Sequence, residues 1–389
     1  MADSFSETTH VGWGSRLIES IKGVGIGFLL VGISVFGLFW NEGRAVHRQQ
    51  ALEEGAAAVI PVNADKVDSA NNAKLIHVSG PATSAKGLAD DQFDIKAADA
   101  LRLNRKVEMY QWEQNEKTET KKNLGGSEDK VTTYTYDKVW RDTLINSSQF
   151  KKPGHENPQQ MPYNSASTNA DDVKLGAFKV NDVVLDHLTP NKAVAPAGAP
   201  VENATPAAPE SKTKRAYTVS NGMLYFGNAS NPAIGDARIA FTEFPAGPVS
   251  IVARQKGDTF EEYPAKTGGV LLVQAGSISA DAMFKQAEEE NRTLTWIIRA
   301  VGFVLIAIGF GMMFAPFVTL ADVVPIIGSV VGAGTFVAAM IFAIPVWLIT
   351  VALAWVYYRP VIGIALLAAA IAVPILFAMF RSKKTVQPA

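Results

Sequence analysis

Residues 36–55 read FGLFWNEGRAVHRQQALEEG, and the way this stretch changes character decides the architecture. An apolar run stops at Trp40, and Asn41, Glu42, Gly43 and Arg44 follow at once. Upstream, Gly23–Trp40 (GVGIGFLLVGISVFGLFW) carries no charge. A membrane-crossing helix needs about 20 mainly apolar residues, and Ile18 and Ile21 extend this run to that length. No small-x-small cleavage site follows it, so the run reads as an uncleaved anchor. At its exit Phe39 and Trp40 are expected at headgroup level. Asn41 and Gly43 tolerate turn conformations and are expected to let the chain leave the helix. Arg44 is expected to pair with Glu42 or to reach lipid phosphates. AVHRQQALEE then reads as a short interfacial helix ending at Gly55.

Three further apolar segments lie near the C-terminus. Residues 294–316 form the second span, with Arg299 one turn in and expected to snorkel to the headgroups. Residues 323–358 exceed one ordinary span. They read as a third span, 336–358, preceded by a re-entrant piece at 325–334 or by the early part of one long tilted helix. Residues 361–380 form the fourth, followed by a basic tail, 381–389, that begins RSKK. Four spans put both termini on one side. Arg16, Lys22, Arg381, Lys383 and Lys384 make that side the cytoplasm, so residues 1–22 read as a cytoplasmic segment. The pairs Gly23/Gly27 and Gly328/Gly332 have the spacing that lets helices approach closely in lipid. Pro345 and Pro374 are expected to kink their helices.

Residues 41–293 hold most of the charge and form one large water-facing domain. Short alternating stretches (56–62, 74–80, 101–112) predict strands. Val107–Glu116 and Lys130–Trp140 predict a hairpin closing around Gly125–Gly126. Tyr110, Trp112, Tyr134, Tyr136 and Trp140 are expected to pack across it. Residues 189–214 are Pro/Ala-rich and are expected to be a flexible insert. A strand meander follows (217–226, 237–244, 249–255, 269–274), and Ser279 then caps a helix running unbroken into the second span.

Chemistry is constrained mainly by exclusion. The chain has no cysteine, which removes disulfides, thiolate nucleophiles and Cys-ligated metals. Its 36 basic and 37 acidic residues balance, so no nucleic-acid partner is indicated. The five histidines are scattered without HxxxH or HExxH spacing, and no GxSxG or Walker loop occurs. His77, His155, His187 and the adjacent acid pairs such as Asp171–Asp172 remain the only candidates for a hydrolase assembled by the fold. No catalytic residue, cofactor or metal is assigned, and the chain reads as a non-enzyme.

The residues SRLIESIKG, LFWNEGRAV, RKVEMYQW, TYDKVW, SSQFKKPGHENP, GDARIAF, VSIVARQKG, TWIIRAVGF and WVYYRP together resemble the TMEM43 (LUMA) family of four-span membrane proteins. The resemblance covers nearly the whole chain except the Pro/Ala-rich insert. It implies an α+β membrane protein, with the large strand-rich domain inserted between the first and second transmembrane helices on the non-cytoplasmic side. It also implies self-association and binding of other membrane proteins within the bilayer. Eukaryotic members reside in the endoplasmic reticulum and inner nuclear membrane. The missing cysteines and the insert point to a bacterial relative in the inner membrane. The implied function is a non-enzymatic scaffold for membrane or envelope organisation, with a channel or transporter, an envelope stress or defence sensor, and a membrane-anchored hydrolase as alternatives. Trp40, Asn41, Glu42, Gly43 and Arg44, with Arg359 and Pro360, become a structural membrane-junction motif in that reading.

Overall fold

A computed structural model describes residues 3–196 and 217–361. The elements used below are, in chain order, β1 (Asp3–Val11), α1 (Trp13–Ala58), β2 (Leu75–Thr83), β3 (Ala100–Lys122), β4 (Glu128–Arg141), β5 (Met223–Phe226), β6 (Ala237–Pro245), β7 (Gly247–Lys256), β8 (Leu272–Ala275), α2 (Ala280–Ala321) and α3 (Pro325–Tyr358). The chain divides into two units. One comprises Met1–Thr8, Glu53–Glu119 and Val131–Gln286; the other comprises Thr9–Leu52, Thr120–Lys130 and Ala287–Ala389.

The first unit is built on two sheets. In one, the strand order runs β1, β4, β3, β6, β5, Thr218–Ser220. In the other, β2 and β7 lie side by side, with β8 on β7 and Ile60–Val62 running parallel to β2. Alternation explains both sheets, because successive side chains point to opposite faces. Val107 pairs with Ile239 across β3 and β6, and Val78 pairs with Ile251 across β2 and β7. All four are fully buried. Phe178 and Phe260 stack beside the β2–β7 core, while Phe93, Phe226 and Phe241 fill the other.

The predicted hairpin forms as β3 and β4, but both strands run further toward the turn than the alternation predicts. Its aromatics pack as expected, with Tyr110 against Trp140 and with Trp112 and Tyr136 both against the buried His155. Two expectations for this unit change. The first residues of the Pro/Ala-rich insert are ordered: Lys192–Ala193 pair with β6, and Val194 donates its N–H to Phe241 and is buried. Local hydrogen bonding to a neighbouring strand outweighs composition there. Residues 3–11, for which no strand is predicted, form one on β4, since Ser- and Thr-rich alternation suits a sheet edge. The rest of the insert, from 197, lies outside the described residues.

The second unit is helical. Among the described residues, three helices are long and apolar enough to cross a membrane. α1 does not stop at Asn41, because the residues after it are good helix formers and carry the helix to Ala58. α2 begins at Ala280 and continues through Pro316, as the absence of earlier breakers predicts. α3 is one continuous helix from Pro325 to Tyr358, through Pro345. The fourth predicted helix (361–380), Pro374 and the basic tail lie outside the described residues, apart from Val361.

Small residues bring α1 and α2 together. A Cβ on Gly27 would lie 2.6 Å from the Gly309 carbonyl oxygen, and one on Gly302 would lie 2.5 Å from Leu38. The outer face of α1 exposes Ile26, Phe28, Leu29, Ile33 and Phe36, as a lipid-facing surface requires. Gly27→Val is therefore expected to lower the thermal midpoint of the detergent-solubilised protein, by about 1–3 kcal/mol of overpacking. Gly25→Val, where nothing lies within 4 Å, is expected to leave it unchanged. Equal midpoints for the two variants would show that the close helix approach carries no stability.

Candidate functional site

The site is made by helical spacing. Leu38, Asn41, Glu42, Ala45 and Val46 fall on one face of α1, and all five are buried. Asn291, Thr295 and Arg299, each four residues apart, share one face of α2, with Thr295 and Arg299 buried and Asn291 half-buried. The two faces meet with their polar groups matched.

Glu42, 1% exposed, accepts two hydrogen bonds from Arg299 in a bidentate pair, at 2.6 Å from Nε and 2.7 Å from Nη2. Its Oε2 also accepts from the Trp355 indole at 2.9 Å. The Arg299 guanidinium lies 4.7 Å from the ring centre of Trp296 and 5.7 Å from that of Trp355. Trp347 donates its indole N–H to the Arg299 carbonyl at 3.0 Å. Three helices are thus tied to one ion pair, and both carboxylate oxygens of Glu42 have partners, as a buried charge demands.

Beside this pair lies a second layer. Arg44 donates to the Asn41 side-chain oxygen at 3.1 and 3.3 Å, to Asn291 at 3.0 Å and to the Thr295 hydroxyl at 3.1 Å. Asn291 donates to the Ala45 carbonyl at 2.9 Å. Gly43 is required by close packing, since a Cβ there would lie 2.4 Å from the Tyr358 ring. Phe39 packs on Tyr357 and Tyr358, and His47 meets Tyr358 edge-on. Arg359 bonds to Gln49 and lies 5.9 Å from the Trp355 ring centre. Trp40 is 59% exposed, consistent with an interfacial position.

Most of the junction motif therefore comes together, but with different partners from those expected. Arg299 does not snorkel outward, and it, not Arg44, neutralises Glu42. Asn41 and Gly43 do not release the chain from the helix; they seat it against its neighbours. Pro360 is exposed and follows the C-cap Arg359. Its role is to end α3, because a residue before proline is disfavoured in the α conformation.

A second cluster was not anticipated from the sequence. Asp322, fully buried between α2 and α3, accepts from Arg16 at 2.5 Å and from Lys122 at 2.7 Å. Arg16 also pairs with Glu128 at 2.6 Å. Around them, Trp13 donates to the Thr319 carbonyl at 2.9 Å and packs on Gly126. Burial raises the Asp322 carboxyl, but hydrogen bonds from Lys122 and Arg16 outweigh it and hold the group below the ordinary carboxylate value. The available signal was a lone acid between two long apolar stretches.

The histidines remain apart. A ring nitrogen of His77 lies 2.9 Å from the Ile278 carbonyl, His155 stacks on Tyr136, and His187 lies 2.9 Å from the Val183 carbonyl. Asp172 accepts from Ser84 and from the Ala85 N–H. Among the described residues no group of three or more His, Asp or Glu is placed to hold a metal ion.

Comparison with known proteins agrees with this architecture. The family model for transmembrane protein 43 matches residues 109–360. Mouse transmembrane protein 43 is 30% identical over 385 residues, covering 95% of this chain and 92% of its own. The human protein is 30% identical over 391 residues, covering 96% and 94%. The chain belongs to the transmembrane protein 43 family. A Drosophila homologue in that family is 28% identical over 376 residues, 94% of each chain. No solved structure matches. The family assignment and the apolar helices make the chain an integral membrane protein.

In this family member, breaking the Glu42–Arg299 pair from either side is expected to be costly. Glu42→Ala or Arg299→Met alone should lose about 3–5 kcal/mol, because a buried charge is left without its partner. Glu42→Met with Arg299→Met should recover much of that loss. Thermal unfolding in detergent measures all three, and single variants as stable as the parent would refute the pairing. Asp322 adds a pH dependence. Its folded value is depressed, so its contribution is present above the ordinary value of 3.8 and is lost as pH falls through the folded value. Amide protection over residues 120–130 should hold from neutral to mildly acidic pH and fall only in strong acid.

Proposed function

We propose that this chain is a non-enzymatic membrane scaffold, organising a bacterial inner membrane or envelope through self-association and binding of other membrane proteins, with its strand-rich domain outside the cytosol. The observation that carries the reading is the engagement of the junction's polar groups with one another. Both Glu42 oxygens, the Arg299 guanidinium and the Arg44 guanidinium are committed to side chains of α1, α2 and α3. A knot whose polar groups bond to one another suits a part that holds helices in register, whereas acid–base work needs a group within reach of a substrate proton. The family membership supports the same reading.

Crosslinking of the tagged full-length protein in cells, followed by mass measurement in mild detergent, tests it. The expected result is a mass above the monomer, with self-crosslinked peptides. The Glu42→Ala/Arg44→Ala double variant is expected to reduce that mass or the yield of folded protein. A monomer without self-crosslinks would refute the scaffold reading, and unaltered yield and oligomer size in the double variant would remove the junction's part in it.

A further inference from the structure

The helix junction holds more positive charge than its own carboxylate neutralises. Glu42 gives its negative charge to Arg299, and its further contact is the neutral Trp355 indole. Arg44 donates to the side chains of Asn41, Asn291 and Thr295, none of which is charged. Arg359, at the end of α3, donates to the Gln49 side chain and lies beside the Trp355 ring. Among the described residues neither guanidinium forms an ion pair, although Glu288, Glu289 and Glu290 are exposed on α2. Neutral acceptors satisfy N–H groups but leave the charge in place. Of the five N–H groups of a guanidinium, Arg44 commits four to described partners (one on Nε, one on Nη1, two on Nη2) and Arg359 commits one. Both residues are half-buried, not enclosed.

Three exposed aromatics mark the depth of these charges. Trp40 on α1, Trp296 on α2 and Tyr357 on α3 are 59%, 55% and 69% exposed. Trp and Tyr gather at the membrane–water interface, where one end of the ring is apolar and the other wet. At about 1.5 Å per residue, Arg44 lies about 6 Å beyond Trp40 along α1, and Arg359 about 3 Å beyond Tyr357 along α3. Both guanidiniums therefore stand just on the water side of the aromatic level, at the depth of lipid phosphates.

We infer that the junction binds anionic phospholipids, whose headgroup phosphate is held by Arg359 where α3 meets α1 and by Arg44 where α1 meets α2. A bound phosphodiester completes the charge balance that the protein side chains leave open. Arg359 is the stronger anchor, because most of its planar fork remains to meet two phosphate oxygens at once. Phosphatidylcholine carries its own cation beside the phosphate, so the site selects by headgroup charge.

The cysteine-free chain makes the test direct. Val361→Cys, 81% exposed and two residues from Arg359, reports one flank; Leu294→Cys, 45% exposed beside Thr295, reports the other. Each full-length variant is labelled with a fluorophore and reconstituted in mixed phosphatidylcholine–phosphatidylglycerol vesicles. A nitroxide high on the acyl chain of one lipid or the other shows which lipid neighbours the label. Phosphatidylglycerol is expected to associate about fivefold more strongly, as one cation at a charged surface contributes. Arg359→Gln should remove most of the preference at residue 361, and Arg44→Gln that at residue 294, while Arg359→Lys and Arg44→Lys keep part of it. Raised salt should weaken both preferences. Equal quenching by the two lipids at both labels would overturn the inference without any arginine variant. A preference at residue 361 that survives Arg359→Gln would overturn it as well. Lipid preference is read at each chain whether or not chains associate, so the scaffold reading can fail without affecting it.

Discussion

A single ion pair placed in an apolar helix bundle sets the terms for everything around it. Removing Glu42 and Arg299 from water is strongly unfavourable, and only full hydrogen bonding between them offsets that cost. The bidentate geometry fixes the rotation of α1 against α2, and the Trp355 and Trp347 indoles extend the constraint to α3. Lipid offers no hydrophobic drive for helices to associate, so close packing and polar contacts must specify their pairing. Gly27, Gly43, Gly302 and Gly309 provide the close approach, and the Glu42 layer provides the register.

The Asp322 cluster obeys the same rule with different parts. Two cations and two carboxylates balance, and the buried carboxylate takes a partner on each oxygen. Here a β-turn, rather than a third helix, completes the constellation. Such an arrangement favours a single alignment, because shifting any member by a residue leaves a charge unmatched.

Long-range partners set the limit of what the sequence discloses. The apolar run to Trp40, the hairpin around Gly125–Gly126 and the helix from Ser279 follow from length, alternation and capping, which are local properties. The continuation of α1 past Asn41 was hidden because Asn and Gly are ordinarily turn residues, and only contacts with Thr295 and Tyr358 show why they sit inside a helix. Arg299 looks like a snorkelling residue until a carboxylate 257 positions earlier is seen beside it. The pairing of Lys192–Ala193 and of residues 3–11 depends on strands far along the chain, where composition is a poor guide. The family resemblance singled out the junction residues; the geometry supplied their partners.

The pairing of β1 with β4 also has a consequence for biogenesis. β1 leaves the ribosome well before its backbone partner, which ends at Arg141. At synthesis rates of about 5–20 residues per second, the strand waits on the order of ten seconds with an open edge. During that interval α1 is already available to the insertion machinery.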